Sequence, residues 1–402
     1  MKKVRYLIVL LLIFCEMGCK GEWAGIKETE EIGSAQREEL KLWSYYETEA
    51  QIKGLNQLME AFNSSQEKYS ISWEYVPMTE FDRRISRAYT EQELPDLVII
   101  DNPDMLRFIQ LGMFEDITNY AKELSLEDTY YEASVGTVQY KDHYYGVPFN
   151  SNNVCLIYNR ELFEEFNAEV PGDWESFYET ANQMTTDQTT GFLMCCLDSE
   201  QGAFQLLEWI LSETENPAEV DEKGLLSAFE FLDRMIREGI LPAGCLNYSQ
   251  TDVARRFAKG DIAMIENGPW VFSMLDQAGI QYGLAPMPEG LRRAVILGGE
   301  NLGIIKGKNV EGSIAFIRYC MEKGGIEEFC KTSGLLPSRI ASAENTIEEN
   351  SNFGIIAQQM EYAVARNDIT EWNSISRKIT SVFSKMVAGD LSPEQAAKEV
   401  LQ

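Results

Sequence analysis

The chain has 402 residues, with 64 acidic and 35 basic side chains and one histidine, for a formal net charge of −29. That balance argues against a nucleic-acid binder, because neutralising phosphates takes a basic face. The single histidine argues against a histidine-rich zinc site or a histidine-based catalytic triad. The length suggests about two domains, and a hydrophobic content of 45% is enough for a sizeable core.

In chain order, the first segment reads as an address. Lys2, Lys3 and Arg5 form a basic region, and Tyr6 to Phe14 is an apolar run too short to span a bilayer as a mature helix. Gly18-Cys19 follows. This arrangement resembles a bacterial lipoprotein signal, in which Cys19 is lipidated and becomes the first mature residue; Glu16 and Met17 depart from the usual residues there. The expectation is a signal peptide over 1–18, then a lipidated cysteine and polar tether over 19–38. The body would be exported and held at the outer face of the cell membrane. An uncleaved anchor or a plain secretory signal is the alternative. No later stretch approaches the roughly 18 consecutive apolar residues of a membrane span.

Six cysteines remain in the body: Cys155, Cys195, Cys196, Cys245, Cys320 and Cys330. None form C-x-x-C, so no zinc site is expected. Export permits disulfides, but a chain of this length does not need them. The reading is mostly buried thiols acting as small apolar residues.

Glu39–Tyr45 alternates polar and apolar residues and reads as a first strand. Ala50–Ser64 carries Ile52, Leu55, Leu58, Met59 and Phe62 at helical spacing. Tyr69–Val76 reads as strand, Glu80–Thr90 as helix, and Pro95–Asp101 as a short apolar strand entered through a proline turn. Strands separated by helices predict an α/β fold with a largely parallel sheet. In such sheets ligands sit beyond the carboxyl ends of the strands. Those ends carry Tyr45, Tyr46 and Glu47 on one side and Asp101, Asn102 and Asp104 on the other. The alternative for each is a solvated loop.

Several segments then share one resemblance: LPDLVII at 94–100, GMFEDI at 112–117, YYGVPFNSNNVCLIYNRELF at 144–163, GDWESF at 172–177, FAKGDIAMIENGPW at 257–270, YGLAPMPEGLRRAVILGGENLGI at 282–304, GLLP at 334–337 and AGDLSPEQAAKEV at 388–400. In this order they resemble the extracellular solute-binding proteins of bacterial ABC importers, in the sugar-binding group that includes maltose-binding protein. The resemblance implies a two-lobe periplasmic-binding-protein-like fold (type II), each lobe a mixed, mostly parallel sheet flanked by helices. Lobe 1 would comprise 39–149 plus 285–333, and lobe 2 150–284 plus 334–402. Crossings near Asn150, Tyr282–Pro286 and Thr332–Ser338 each have glycine or proline close by, as a hinge requires.

The implied function is capture of a carbohydrate by hinge closure and delivery to a membrane permease, by a monomer that needs no cofactor or metal and has no catalytic residues. The implied ligand-binding residues are Trp43, Tyr45, Glu47, Asp101, Asn102, Gly299, Glu300 and Asn301 on the first lobe. Asn150 and Asn152 stand at the hinge, and Asn267, Trp270 and Trp372 on the second lobe. Carboxylates and amides match sugar hydroxyls, and aromatic rings stack on their C–H faces. Trp270 carries the family's position for a stacking aromatic after N-G-P. Trp43 has the alternative of packing under its strand, and Trp174 reads as core. Arg292-Arg293 reads as a solvated loop; inside the cleft it would favour an anionic ligand. His143 reads as part of a hairpin turn.

Two rivals stay open. A secreted carbohydrate-active enzyme would need two carboxylates about 5–10 Å apart across a bond, but no G-x-S-x-G or H-E-x-x-H motif is present. A sensory module for a membrane kinase would have the same cleft and a different partner.

Overall fold

The computed structural model describes residues 37–402. Cys19, the leader and residues 20–36 of the expected tether lie outside the described residues. No helix among the described residues is long and apolar enough to cross a membrane.

The strands in chain order are β1 (Glu38–Ser44), β2 (Tyr69–Tyr75), β3 (Leu97–Asp101), β4 (Gln139–Tyr140), β5 (His143–Tyr144), β6 (Gly146–Asn152), β7 (Cys155–Asn159), β8 (Thr190–Leu193), β9 (Ile262–Asn267), β10 (Tyr282–Ala285), β11 (Ile296–Ile304), β12 (Leu336–Pro337) and β13 (Val364–Ala365). One sheet runs β12-β6-β11-β3-β1-β2, with β13 also on β11, and a second runs β10-β7-β9-β8. The expected first helix spans Glu49–Ser65 and buries Leu55, Leu58, Met59 and Phe62. The helix after β2 spans Met78–Glu91 and buries Phe81, Ile85 and Ala88.

In the first sheet β1 pairs in parallel with β2 and β3, while β6, β11 and β12 add antiparallel pairings. The second sheet is less parallel than expected: β8–β9 is its parallel pair, and β7 runs antiparallel to both β9 and β10. The cause is the connection. Two residues, Asn153 and Val154, separate β6 from β7, so β7 enters the second sheet directly from the first. The passage from β8 to β9, by contrast, runs through the helices Glu200–Ser212, Glu222–Arg237 and Gln250–Phe257, and such a crossover is what a parallel pair needs.

Each sheet has its own core. One gathers Leu42, Ile99, Phe108, Phe149, Leu302 and Phe316; the other gathers Leu156, Phe177, Phe192, Trp209, Ile265 and Phe383. Trp270 packs against both. Trp174 is half-buried and packs on the second core rather than within it: it opens the helix Trp174–Gln183 behind an Asp173–Ser176 capping box and lies on Trp209 and Phe231 at centroid distances of 5.5 and 4.6 Å. His143 stands on the β4–β5 hairpin, whose turn residues Lys141 and Asp142 have φ of 51° and 62°, the left-handed pair of a tight hairpin turn. The six cysteines are buried thiols.

Candidate functional site

The site grows from the carboxyl ends of β1 and β3 and from the middle of β11, in the first sheet. β1 ends at Ser44 and releases Tyr45, Tyr46 and Glu47 into a turn closed by Thr48. The Thr48 hydroxyl caps the next helix by accepting from the Gln51 amide at 3.2 Å, and the Gln51 side chain accepts in return from the Thr48 amide at 3.1 Å. This reciprocal box satisfies two otherwise orphaned N–H groups, and the Gln51 side chain also accepts from the Glu47 amide at 3.3 Å. β3 ends at Asp101. On β11, Glu300 lies opposite Asp101 on one side and Asn150 of β6 on the other.

Glu300 is therefore a buried carboxylate surrounded by polar groups. It accepts hydrogen bonds from the Tyr45 hydroxyl at 2.9 Å and the Tyr46 hydroxyl at 3.1 Å, and the Asn150 amide donates to the Tyr46 oxygen. Burial, and then the charge of Asp101, push its pKa from 4.5 to about 7 against the pull of these hydrogen bonds. A raised carboxyl pKa means that the folded state holds the proton more tightly than the unfolded chain. The stability this contributes is fully present below pH 4.5 and is lost as pH rises through about 7, a change on the order of 3 kcal/mol. Glu300→Gln, which keeps the neutral form, is expected to flatten that part of the profile. Chemical denaturation of both proteins at pH 5 to 8 checks it: their stability difference should shift in favour of the variant as pH rises, and a constant difference contradicts the assignment.

Before Glu300, Gly298 and Gly299 let two strands meet closely. Gly299 has φ of +118°, and a Cβ there would lie 2.2 Å from the Asn150 carbonyl oxygen; one on Gly298 would lie 2.1 Å from Asn152 Oδ1. Gly299→Ala is expected to cost about 1–3 kcal/mol from the backbone conformation alone, plus the clash. Denaturant unfolding should show it; wild-type stability in that variant would contradict the geometry.

The facing wall comes from the second core. The helix Glu200–Ser212 presents Glu200, Gln201 and Phe204, and the helix Gln250–Phe257 begins with Gln250 and Thr251. The Gln250 amide donates to Gln201 Oε1 at 3.1 Å, so the two helix starts are joined. Trp270 follows β9 through Gly268-Pro269; a Cβ on Gly268 would strike the indole ring at 2.0 Å, so glycine is what lets the ring fold back. Gln201 also donates to the Met78 thioether across the gap at 3.9 Å.

Arg366, just after β13, binds the walls together. Its guanidinium donates to both oxygens of Asp101 at 2.6 and 3.0 Å and to Glu200 at 2.7 Å. It lies over the Phe204 ring, 4.8 Å from the centroid, and is 3% exposed. Trp372 Nε1 donates to the same Glu200 oxygen at 2.8 Å. Burial pushes the Glu200 carboxyl up, against the pull of Arg366.

These groups line one cavity of about 740 Å³, part of it open to solvent. No cluster of potential metal ligands occurs among the described residues.

With that geometry in place, comparison decides the family. The model for bacterial extracellular solute-binding proteins matches residues 57–354. The chain belongs to this family. It is a binding protein with the two-lobe fold, and the extracellular family implies export. A maltotriose-binding protein of Pyrococcus abyssi (strain GE5 / Orsay) is 24% identical over 243 residues, 57% of this chain and 51% of that protein. A galactooligosaccharide-binding protein of Bacillus subtilis (strain 168) is 20% identical over 325 residues, 77% and 76% of the two chains. Among solved structures, the GacH receptor of Streptomyces glaucescens superposes with a TM-score of 0.79 at 21% identity, covering 91% of this chain and 97% of that one. Maltose-bound MalE3 of T. maritima gives 0.80 at 20%, covering 90% and 97%.

Within this solute-binding protein, seven residues expected at the site line the cavity together: Tyr45, Glu47, Asp101, Asn152, Trp270, Gly299 and Glu300. The other six stand elsewhere. Trp43 is 3% exposed, donates to Glu74 at 3.1 Å and lies under Arg84, away from the cavity. Asn102 is buried in the first turn of the helix Asn102–Gln110. Asn150 supports Tyr46 from behind. Asn301 bonds Thr137 at 3.0 Å, because it follows Glu300 on the strand and faces the other side. Asn267 is fully buried and holds the Gln250 carbonyl at 2.8 Å. Trp372 is 4% exposed and reaches the cavity through Glu200. Arg292 bonds the Thr214 carbonyl and Arg293 pairs with Glu289; neither lines the cavity. Sequence reasoning did not reach Glu200, Gln201, Phe204, Gln250, Thr251 or Arg366, and their local sequence carries no signal that would have found them.

Proposed function

We propose that this chain captures a neutral oligosaccharide for an ABC importer, closing two lobes on it about a hinge and handing it to a membrane permease. What carries the reading is the composition of the cavity. Tyr45 and Trp270 offer ring faces to C–H groups, while Glu47, Gln51, Asn152, Gln201, Gln250 and Glu300 offer the mixed donors and acceptors that hydroxyls match. Arg366, the cavity's cation, is already engaged by Asp101 and Glu200. A phosphorylated solute would meet carboxylates without a free positive partner, which disfavours the anionic alternative. The relatives named for maltotriose and galactooligosaccharides agree in ligand class.

The proposed lobes are 39–149 plus 285–333 and 150–284 plus 334–402, hinged near Asn150, Tyr282–Pro286 and Thr332–Ser338. A solute touching both walls favours the closed form and so shifts the population. Lipidation of Cys19 would hold the protein at the membrane. Within the cleft, Trp270 stacks on one face of the sugar, and Tyr45, Glu300 and Asn152 address the other.

A thermal-shift screen of neutral, amino and phosphorylated mono- and oligosaccharides tests the reading, with mass analysis of the sugar afterwards. The expected result is a raised Tm with a neutral oligosaccharide recovered intact; at one hundred times Kd the stabilisation is about 2.7 kcal/mol. A response confined to sugar phosphates, or cleavage of the sugar, overturns it.

A further inference from the structure

We propose that Met78 closes one end of the cavity and so sets the length of linear saccharide that the protein accepts. The proposal rests on the reading of sugar capture and adds a selectivity residue to it.

The sheet order gives the cavity an axis. The first sheet runs β12-β6-β11-β3-β1-β2, and its share of the lining follows that order: Leu335 before β12, Asn152 on β6, Glu300 on β11, Asp101 on β3, Tyr45 after β1 and Met78 after β2. One end of this row is β12 and β6, where the proposed hinge crosses near Asn150 and Thr332–Ser338. The other end is β2, the edge strand, with no strand of this sheet beyond it. A linear ligand lying along the row therefore grows toward Met78.

Both walls hold the methionine there. The Val76 amide donates to the Ser44 carbonyl at 2.9 Å, which draws the chain leaving β2 against the end of β1. Met78 then opens the helix Met78–Glu91. One turn on, Phe81 meets the Tyr45 ring edge-on at a centroid distance of 5.3 Å, so the helix start is seated on the cavity's own aromatic wall. From the facing wall Gln201 Nε2 reaches the Met78 sulfur at 3.9 Å. Gln201 is itself fixed: its Oε1 accepts from the Gln250 amide at 3.1 Å, and its carbonyl oxygen accepts from the Gln250 side chain at 3.4 Å. Met78 and Gln201 are both half-buried, at the rim where the two walls meet.

The chemistry of this contact suits a stop that yields. A thioether is a weak acceptor, so the contact costs little to break when the lobes part. Methionine is unbranched, with three rotatable bonds, and it fills the space between the walls when they close. A sugar unit reaching past Tyr45 along the row then meets the thioether rather than open space.

The test titrates the full chain, as wild type, Met78→Ala and Met78→Trp, with linear malto-oligosaccharides and galacto-oligosaccharides from disaccharide to heptasaccharide. Wild type is expected to bind one ladder with an affinity that rises to an optimum length and falls beyond it. Met78→Ala should move the optimum to longer chains, with a gain of about fivefold or more for the first saccharide past the wild-type optimum. Met78→Trp should move it to shorter ones, and either variant decides the matter if the other fails to fold. A purely packing role would weaken binding by the same factor at every length. That result, an unchanged optimum, or a wild-type affinity that never falls along the ladder overturns the proposal and leaves sugar capture standing. Binding of neither ladder by the wild type overturns this inference as well, while the saccharide screen decides sugar capture separately.

Discussion

Replacing Arg366 with methionine is expected to be the most damaging single change in the cleft. The guanidinium is 3% exposed and is shared by Asp101 and Glu200. Its removal leaves two carboxylates facing one another with no counter-charge. Breaking a buried pair from one side costs about 3–5 kcal/mol, which for a chain of this size lowers Tm by about 4–6 °C. Arg366→Lys keeps the charge but not the fork that holds both Asp101 oxygens, and should fall between. Adding Asp101→Asn and Glu200→Gln to Arg366→Met should return most of the lost stability, because no charge is then left stranded. Calorimetric melting of the three variants checks the ordering. If Arg366→Met alone melted like the wild type, Arg366 would not be the strut between the walls.

Trp270→Ala is expected to separate binding from stability. The ring is partly exposed, packs against both cores and lines the cavity. Truncating a central aromatic anchor typically costs 2 kcal/mol or more of binding, at least about thirtyfold in Kd. The same change should lower apo stability by only about 1 kcal/mol, since the ring is not enclosed. Titration calorimetry with the saccharide found in the screen gives the first number and melting without it the second. Unchanged affinity would remove Trp270 from the site; collapse of apo stability with affinity intact would make it a core residue.

The contrast between these two residues shows what could be read from the chain and what could not. Trp270 sits in a local motif, Asn267-Gly268-Pro269, that ends a buried strand with a turn. Tyr45, Glu47 and Asp101 follow from strands whose alternation and ends are written in consecutive residues. Arg366 acts on partners 265 and 166 positions away, from a three-residue turn after a two-residue strand, and nothing near it in sequence foretells that. The helix Glu200–Ser212 is buried from Gly202 to Ser212, so it lacks the one-sided stripe that would have singled out its exposed first turn. Trp43 illustrates the opposite error: its register partner on β2 is Glu74, and once that pairing is known the indole has a structural hydrogen bond and no reason to face the cleft. Asn301 was one pleat out of place beside Glu300. The fold class was legible because strand–helix alternation is local; the lower parallel content of the second sheet was not, since it depends on β7 arriving directly from β6.

A crystal structure of the protein with the saccharide that raises its Tm tests the central claim most directly. The account expects an unbroken sugar enclosed between the two walls, stacked on Trp270 and hydrogen-bonded near Glu300 and Tyr45. A sugar bound outside this cavity, or one cleaved within it, would contradict the account.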